Sequence, residues 1–134
     1  MESDKIELAE RLVNSSRWQW MPGMRTINGR RIAVVFGESR TASVLCDLRD
    51  DANSDTEDLQ GELPDLADPA TLGCLLALVR EEWRNPHIWV ESSTFGRRAG
   101  AFIGWAAPEY QPALPDIVRA TEAEALIVAL ESAP

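Results

Sequence analysis

The chain has 134 residues, 45% of them hydrophobic, and a formal net charge of −9. A chain of this size buries roughly two thirds of the surface that its unfolded form exposes, so it needs neither a metal ion nor a disulfide in order to fold. Direct nucleic-acid binding is disfavoured, because an acidic protein repels the phosphate backbone. No apolar run approaches the roughly 20 residues of a membrane span, and the first residues are charged, so we expect a cytoplasmic protein without a membrane partner.

A short amphipathic helix is predicted at the start of the chain. Asp4 and Glu7 form an approximate capping box, and apolar residues recur at helical spacing as far as Val13. Trp18 and Trp20 follow and alternate with a polar residue, which is typical of a strand. We expect the two indoles to share one face, where they are either part of the core or an exposed anchor for a partner.

A β-hairpin is predicted next. Pro22-Gly23 and Asn28-Gly29 are turn signals, and residues 31–36, R-I-A-V-V-F, have the β-branched content of a strand with a buried face. Residues 41–46 have the same character. We therefore expect these two segments to pair in antiparallel fashion.

An acidic segment follows, which we interpret as an exposed loop at about residues 47–67. Between Asp47 and Asp68 there are nine acids against one base, Arg49, so these residues account for −8 of the net charge of −9. The segment has no apolar period, and it contains Asn, Ser, Gly and Pro. A loop of this length in a compact domain is either functional or disordered.

The clearest element is a helix that begins at Pro69. Asp68 suits the N-cap position and Pro69 suits the first helical position. Apolar residues then form one helical stripe. The stripe consists of Leu72, Leu75, Leu76, Val79 and Trp83. The helix should end before Asn85-Pro86, because proline cannot continue it.

Strands and a last helix are predicted in the rest of the chain. Residues 87–91 and 99–105 read as two strands, and residues 116–120 fit a short closing strand. Thr121 and Glu124 form a capping box that opens the last helix. The order is α-β-β-α-β-β-(β)-α. We therefore predict a single α+β domain over residues 1–134, in which two β-hairpins form an antiparallel sheet with three helices.

One pattern in the acidic segment suits a divalent metal ion. Asp51, Asn53, Asp55 and Glu62 lie at positions 1, 3, 5 and 12 of a calcium-loop pattern. Position 6 is Thr56, however, where the sharp turn of such a loop requires glycine. A solvated loop is the simpler interpretation.

The same acids suggest a second hypothesis, in which a row of carboxylates imitates phosphates and binds a partner protein. The candidate binding residues of the segment are Asp50, Asp51, Asp55, Glu57 and Asp58. A flexible loop that only aids solubility is again the simpler interpretation.

Catalysis is not expected. His87 is the single histidine and has no identifiable partner, and neither Cys46 nor Cys74 has a base nearby in the sequence. No phosphate-binding loop and no G-x-S-x-G motif occurs. We therefore assign no catalytic residue and no cofactor, and a disulfide between the two cysteines is not expected in a cytoplasmic protein.

Two small groups of arginines interrupt the acidic composition. They are Arg25, Arg30 and Arg31 in the first half and Arg97 and Arg98 in the second. Such groups near a turn are more often solvated surface than a binding patch.

Three segments resemble small uncharacterised proteins encoded by phages and prophages of proteobacteria. They are R-W-x-W-x-x-G-M at 17–24, D-P-A-T-L-G-C-L-L-A-L-V-R-E at 68–81 and T-E-A-E-A-L-I-V-A-L-E at 121–131. The middle helix also resembles the small accessory proteins of the lambdoid Nin region. These families have no assigned catalytic residues to carry over. The resemblance implies an accessory protein in the cytoplasm of a bacterial host that binds a host or phage protein.

Two hypotheses follow from the sequence. The first is a non-enzymatic accessory protein that acts by protein–protein interaction, through the acidic segment and the Trp18 and Trp20 region. The alternative is a small-ligand or divalent-metal-binding module that uses the acidic segment.

Overall fold

The computed structural model describes residues 2–36, 41–45, 54–58, 61–93, 100–104 and 117–134. These residues form three helices and six strands, which confirms the predicted α+β class. The first four elements are α1 (Glu2–Val13), β1 (Arg31–Phe36), β2 (Thr41–Leu45) and β3 (Ser54–Asp58). The remaining five are α2 (Pro69–Trp83), β4 (Trp89–Ser93), β5 (Gly100–Gly104), β6 (Val118–Arg119) and α3 (Glu122–Glu131).

The chain divides into two compact units, Met1–Cys74 and Leu75–Pro134, and the boundary falls inside α2. The described strands form two antiparallel sheets rather than the single predicted sheet. The first sheet has the order β1-β2-β3 and belongs to the first unit. The second sheet has the order β4-β5-β6 and belongs to the second unit.

The acidic segment contains a strand, so its interpretation as one continuous exposed loop is wrong. In β3, Ser54 pairs with Leu45 and Asp58 pairs with Thr41 of β2. Main-chain hydrogen bonds hold this pairing, and they do not depend on an apolar side-chain period, which is why the sequence pattern missed it. Pro64 and Leu66, further along the same segment, are buried.

Trp18 and Trp20 lie outside any strand, so the strand predicted from their alternation with a polar residue is wrong. Trp20 is 6% exposed and forms a core cluster with Met24 and Ile32, against which Trp18 packs. The two indoles meet edge to face, with ring centroids 5.3 Å apart. Trp20 is therefore part of the core of the first unit and not an exposed anchor.

In the second unit α3 packs on the sheet β4-β5-β6. The predicted N-cap of α3 is confirmed, since the Thr121 hydroxyl accepts a hydrogen bond from the main-chain N–H of Glu124 at 3.2 Å. Most of α3 is apolar and six of its residues are buried. They are Ala123, Ala125, Leu126, Ile127, Ala129 and Leu130.

Helix α2 begins and ends on local signals. Asp68 precedes it as N-cap and Pro69 is its first residue, as predicted. At the other end Arg84 has a positive φ of 52°, and the N–H of Asn85 bonds to the carbonyl of Arg80 at 2.9 Å. This is the arrangement of a Schellman cap, with arginine in the place that glycine usually takes.

The buried face of α2 is rotated from the predicted stripe. Leu75, Val79 and Trp83 are buried, but Leu72 and Leu76 are only half-buried. Thr71 and Leu78 complete the buried face instead. A stripe of apolar residues alone does not include Thr71. Its hydroxyl can be buried because it donates to Asp68 and accepts from the Arg25 N–H.

Candidate interaction site

An open, largely apolar cleft lies in the first unit. It has a volume of about 340 Å³. Its lining comes from the first turns of α1, from the turn before β1 and from the segment before α2. The lining residues are Lys5, Ile6, Ile27, Pro64, Asp65, Leu66 and Ala67.

The turn that presents Ile27 is held by local hydrogen bonds. The N–H of Thr26 bonds to the Arg30 carbonyl at 2.8 Å, and the N–H of Gly29 bonds to the Thr26 carbonyl at 2.9 Å. Gly29 has a φ of +88°, a conformation that glycine adopts readily, so the predicted Asn28-Gly29 turn is confirmed. Ile27 lies at the tip of this turn.

Two main-chain contacts join the turn to the segment before α2. The N–H of Ile27 bonds to the Leu63 carbonyl, and the N–H of Asp65 bonds to the Arg25 carbonyl, both at 2.8 Å. Thr26 and Pro64 face each other across this antiparallel bridge. The bridge sets Ile27 beside Pro64 and Leu66, although more than 30 residues separate them along the chain.

A partly buried ion pair between Arg31 and Asp68 lies in the same unit. Two guanidinium nitrogens of Arg31, Nη1 and Nη2, contact the Asp68 carboxylate at 2.5 and 3.2 Å. The main-chain N–H and the hydroxyl of Thr71 also donate to Asp68, at 3.0 and 2.8 Å. Arg25 donates its main-chain N–H to the Thr71 hydroxyl at 2.9 Å. We call these three side chains, Arg31, Asp68 and Thr71, the capping node.

The capping node changes the acidity of Asp68. The hydrogen bonds from Arg31 lower the pKa of Asp68 most, burial opposes them, and the bonds from Thr71 lower it further, to about 2. Asp68 is thus an ionised N-cap that is 8% exposed. The basic cluster at Arg25, Arg30 and Arg31 is accordingly not a patch of three solvated charges, since Arg31 lies in this ion pair and Arg25 is 4.0 Å from Asp65.

The cleft itself is apolar and open. Ile6 is 38% exposed and Ile27 is 46% exposed, and together with Trp89 they are the exposed large hydrophobic residues of the described chain. Pro64 and Leu66 are buried and form the lower part of the lining. Covering such a surface with apolar side chains from another molecule is favourable, because it removes apolar area from water.

The structure places only part of the residues that the sequence suggested for binding. Asp50, Asp51 and Asn53 lie outside the described residues. Asp55, Glu57 and Asp58 belong to β3, and Trp18 and Trp20 belong to the core cluster. Glu62 accepts a hydrogen bond from the Asn28 side chain at 3.2 Å.

The calcium-loop pattern is described only in part, because Asp51 and Asn53 lie outside the described residues. A calcium loop curls around the ion, whereas Ser54–Asp58 is an extended strand paired with β2. Within the described part of the chain, no group of three or more His, Cys, Asp or Glu side chains is placed to hold a metal ion.

The described residues also offer little nucleophilic chemistry. Cys74 is a free thiol, half-buried, and its Sγ lies 3.5 Å from the Pro22 carbonyl oxygen. Burial raises the pKa of the Cys74 thiol, and the nearby charge of Asp68 raises it further. A thiol with a raised pKa is a poor nucleophile.

Sequence reasoning missed the cleft residues Ile27, Pro64 and Leu66. Ile27 was passed over as part of a turn, and the other two were assigned to an exposed loop. A signal was present in the second case, because L-P-D-L carries three apolar residues in an otherwise acidic segment. Several apolar residues close together in the sequence indicate that some of them are buried.

Comparisons of the chain with known protein families, curated proteins and solved structures found no match. Among the described residues, no helix has the length and apolar character needed to cross a membrane.

Proposed function

We propose that this is a non-enzymatic accessory protein that acts by protein–protein interaction, and that the cleft around Ile6 and Ile27 is its contact site. The observation that carries the proposal is the exposure of both isoleucines at the rim of a formed cleft. Covering the two half-exposed side chains contributes about 1 kcal/mol each by area. That is a modest contribution, below the roughly 2 kcal/mol of an interface hot spot, so the partner must make further contacts around the cleft.

The charges around the cleft favour a partner with basic residues beside its apolar anchor. Helix α1, which supplies Lys5 and Ile6, carries four acids and two bases. Asp65 lines the cleft, and Glu62 lies beside Ile27 through its bond to Asn28. Opposite charge on a partner speeds encounter and fixes orientation more than it adds affinity.

A phage or prophage setting and the bacterial cytoplasm belong to the same proposal. They come from the resemblance of the three sequence segments, and the apolar cleft is compatible with them. In this setting the partner is a host or phage protein whose apolar side chains enter the cleft.

Site-specific crosslinking tests the proposal. Ile27 is replaced by the photoreactive residue p-benzoylphenylalanine, and in a control protein the exposed Glu81 of α2 is replaced instead. After irradiation in lysate of a proteobacterial host, we expect one adduct of defined mass from position 27 and none of that mass from position 81.

Matched substitutions then test whether formation of the adduct depends on the apolar side chains of the cleft. Ile6→Gln, on the facing helix, should abolish the adduct formed from position 27, whereas Glu7→Gln, also exposed on α1, should preserve it. Circular dichroism should show the same helix content for both variants. The proposal is wrong if position 27 yields no specific adduct, or if Ile6→Gln leaves the adduct unchanged.

A further inference from the structure

An exposed tryptophan lies on the second sheet, in the second unit of the chain. Trp89 on β4 pairs with Gly104 on β5. A Cβ placed on Gly104 would lie 2.0 Å from Cε2, 2.2 Å from Cζ2 and 2.5 Å from Nε1 of the Trp89 indole. Three such similar distances show that a face of the ring, rather than an edge, covers the glycine. Only glycine permits this close approach.

The opposite face of the indole is open to solvent. Trp89 is 42% exposed, although one ring face is packed on the Gly104 backbone. Packing on the glycine accounts for the inner face alone. The exposed surface of the indole is therefore on its outer side, and packing on Gly104 orients the ring.

A carboxylate stands at the edge of this ring. Glu91 is two residues further along β4, so it lies on the same face of the sheet as Trp89. The indole N–H of Trp89 donates to Oε2 of Glu91 at a long 3.4 Å, and Glu91 is exposed. A carboxylate has about four acceptor positions, so this one long contact leaves it able to accept further hydrogen bonds.

We infer that Trp89 and Glu91 form a binding site for an arginine side chain presented by a protein partner. A guanidinium that stacks on the outer face of the indole makes a cation–π contact, and its N–H groups are then placed to donate to Glu91. The net charge of −9 favours the approach of a cation. This site lies in the second unit, and the inference does not depend on the cleft.

Nuclear magnetic resonance of the tryptophan indole N–H groups tests the inference. The signal of Trp89 is identified by its loss in Trp89→Phe. The protein is titrated with the peptide Ac-Ala-Arg-Ala-NH2 and with the same peptide carrying citrulline, which has nearly the same shape and no charge. We expect the arginine peptide to shift the Trp89 signal in a saturable manner and the citrulline peptide to bind about two- to fivefold more weakly.

A charge-neutral variant separates the two contacts. Glu91→Gln keeps the side-chain shape and should weaken binding of the arginine peptide by about two- to fivefold, whereas Glu81→Gln, an exposed acid on α2, should not change it. Because Glu91 is exposed, the variant should keep the other indole signals in place and so prove that it is folded.

Four outcomes overturn the inference, three with the peptides and one with free arginine. The Trp89 signal does not respond to the arginine peptide, or it responds equally to citrulline, or Glu91→Gln binds as well as the unaltered protein. Free arginine serves as a further arm. If it binds more tightly than the peptide, the site takes the amino acid and not a partner's side chain, which also overturns the inference.

Discussion

The two units of the chain use different kinds of buried polar contact at the ends of their helices. In the first unit the Asp68 carboxylate, paired with Arg31, caps the N-terminus of α2 by accepting the main-chain N–H of Thr71. In the second unit a neutral bond joins the Trp83 indole N–H to the carbonyl of Ala129, near the C-terminus of α3, at 2.7 Å. In each case a side chain satisfies a main-chain group that a helix end leaves without a partner inside the helix. Asp68 accepts the Thr71 N–H, and the Trp83 indole donates to the Ala129 carbonyl.

The difference lies in what surrounds each contact. Trp83 is 5% exposed and brings a large apolar ring to the core along with its hydrogen bond. The ion pair brings charge, so much of its attraction offsets the cost of removing that charge from water. We therefore expect the contact at Trp83 to stabilise the second unit mainly through packing. We expect the contribution of the Arg31–Asp68 pair to the stability of the first unit to depend on pH.

The largest expected effect is at Trp83. Trp83→Ala removes a buried ring and should lower the free energy of unfolding by about 3 to 5 kcal/mol. Trp83→Phe keeps most of the ring but leaves the Ala129 carbonyl without its donor, at a cost of about 1 to 3 kcal/mol. Urea unfolding measures both. As a control, Trp89→Ala should cost about 1 kcal/mol, since Trp89 is 42% exposed.

Removing the charge of Asp68 should have the next largest effect. Asn is as good an N-cap as Asp, so Asp68→Asn isolates the loss of the ion pair with Arg31 and should cost about 2 to 3 kcal/mol. Asp65→Asn is the matched control, because its contact with Arg25 is 4.0 Å long and more exposed, and should cost below about 1 kcal/mol. Equal losses in urea unfolding would show that the capping node has no special role.

The pH dependence should follow the pKa of Asp68. Its folded-state pKa of about 2 lies below the ordinary value of 3.8, so the ionised form is bound more favourably in the folded state. The resulting stability, about 2 kcal/mol, is present above pH 3.8 and is lost as the pH falls towards 2. Urea unfolding at pH 5 and at pH 2.5 should therefore show a smaller acid-induced loss in Asp68→Asn than in the unaltered protein. An identical loss would contradict the assigned pKa.

The smallest expected effect concerns the end of α2. Arg84 has a φ of 52°, where a residue with a Cβ is strained and glycine is not. Arg84→Gly should therefore be more stable than Arg84→Ala by about 0.5 to 1 kcal/mol, a comparison that removes the arginine side chain from both proteins. Thermal unfolding of the two variants measures the difference. If Arg84→Ala were the more stable, the cap would not be under backbone strain.

Local signals in the sequence were sufficient for much of the fold. The caps at Asp68 and Thr121, proline at the start of α2 and the turn at Asn28-Gly29 were all predicted and are all present. Each depends on hydrogen bonds or steric limits within about four residues. The pairing of β1 with β2 followed from two neighbouring segments of suitable composition.

The candidate site was beyond such reasoning. The cleft exists because two main-chain hydrogen bonds, from Ile27 N–H to the Leu63 carbonyl and from Asp65 N–H to the Arg25 carbonyl, join distant parts of the chain. No pattern within a few residues specifies these contacts. The acidic segment is conspicuous by its charge, yet among the described residues the exposed large apolar side chains are Ile6, Ile27 and Trp89, outside that segment. Composition reports how much charge a segment carries, and it does not report which partner each charge acquires.

The sequence by itself determined the fold class, the starts of α2 and α3 and the first hairpin, because these depend on interactions between near neighbours in the chain; the capping box expected at Asp4 is not the start of α1, which begins at Glu2. Only the tertiary structure decided that Trp20 is buried while Trp89 is exposed, that Arg31 pairs with Asp68, and that Ile6 and Ile27 line one cleft. Whether a side chain is covered depends on the path of the chain across tens of residues. That path is set by the packing of the whole unit, which no local pattern contains.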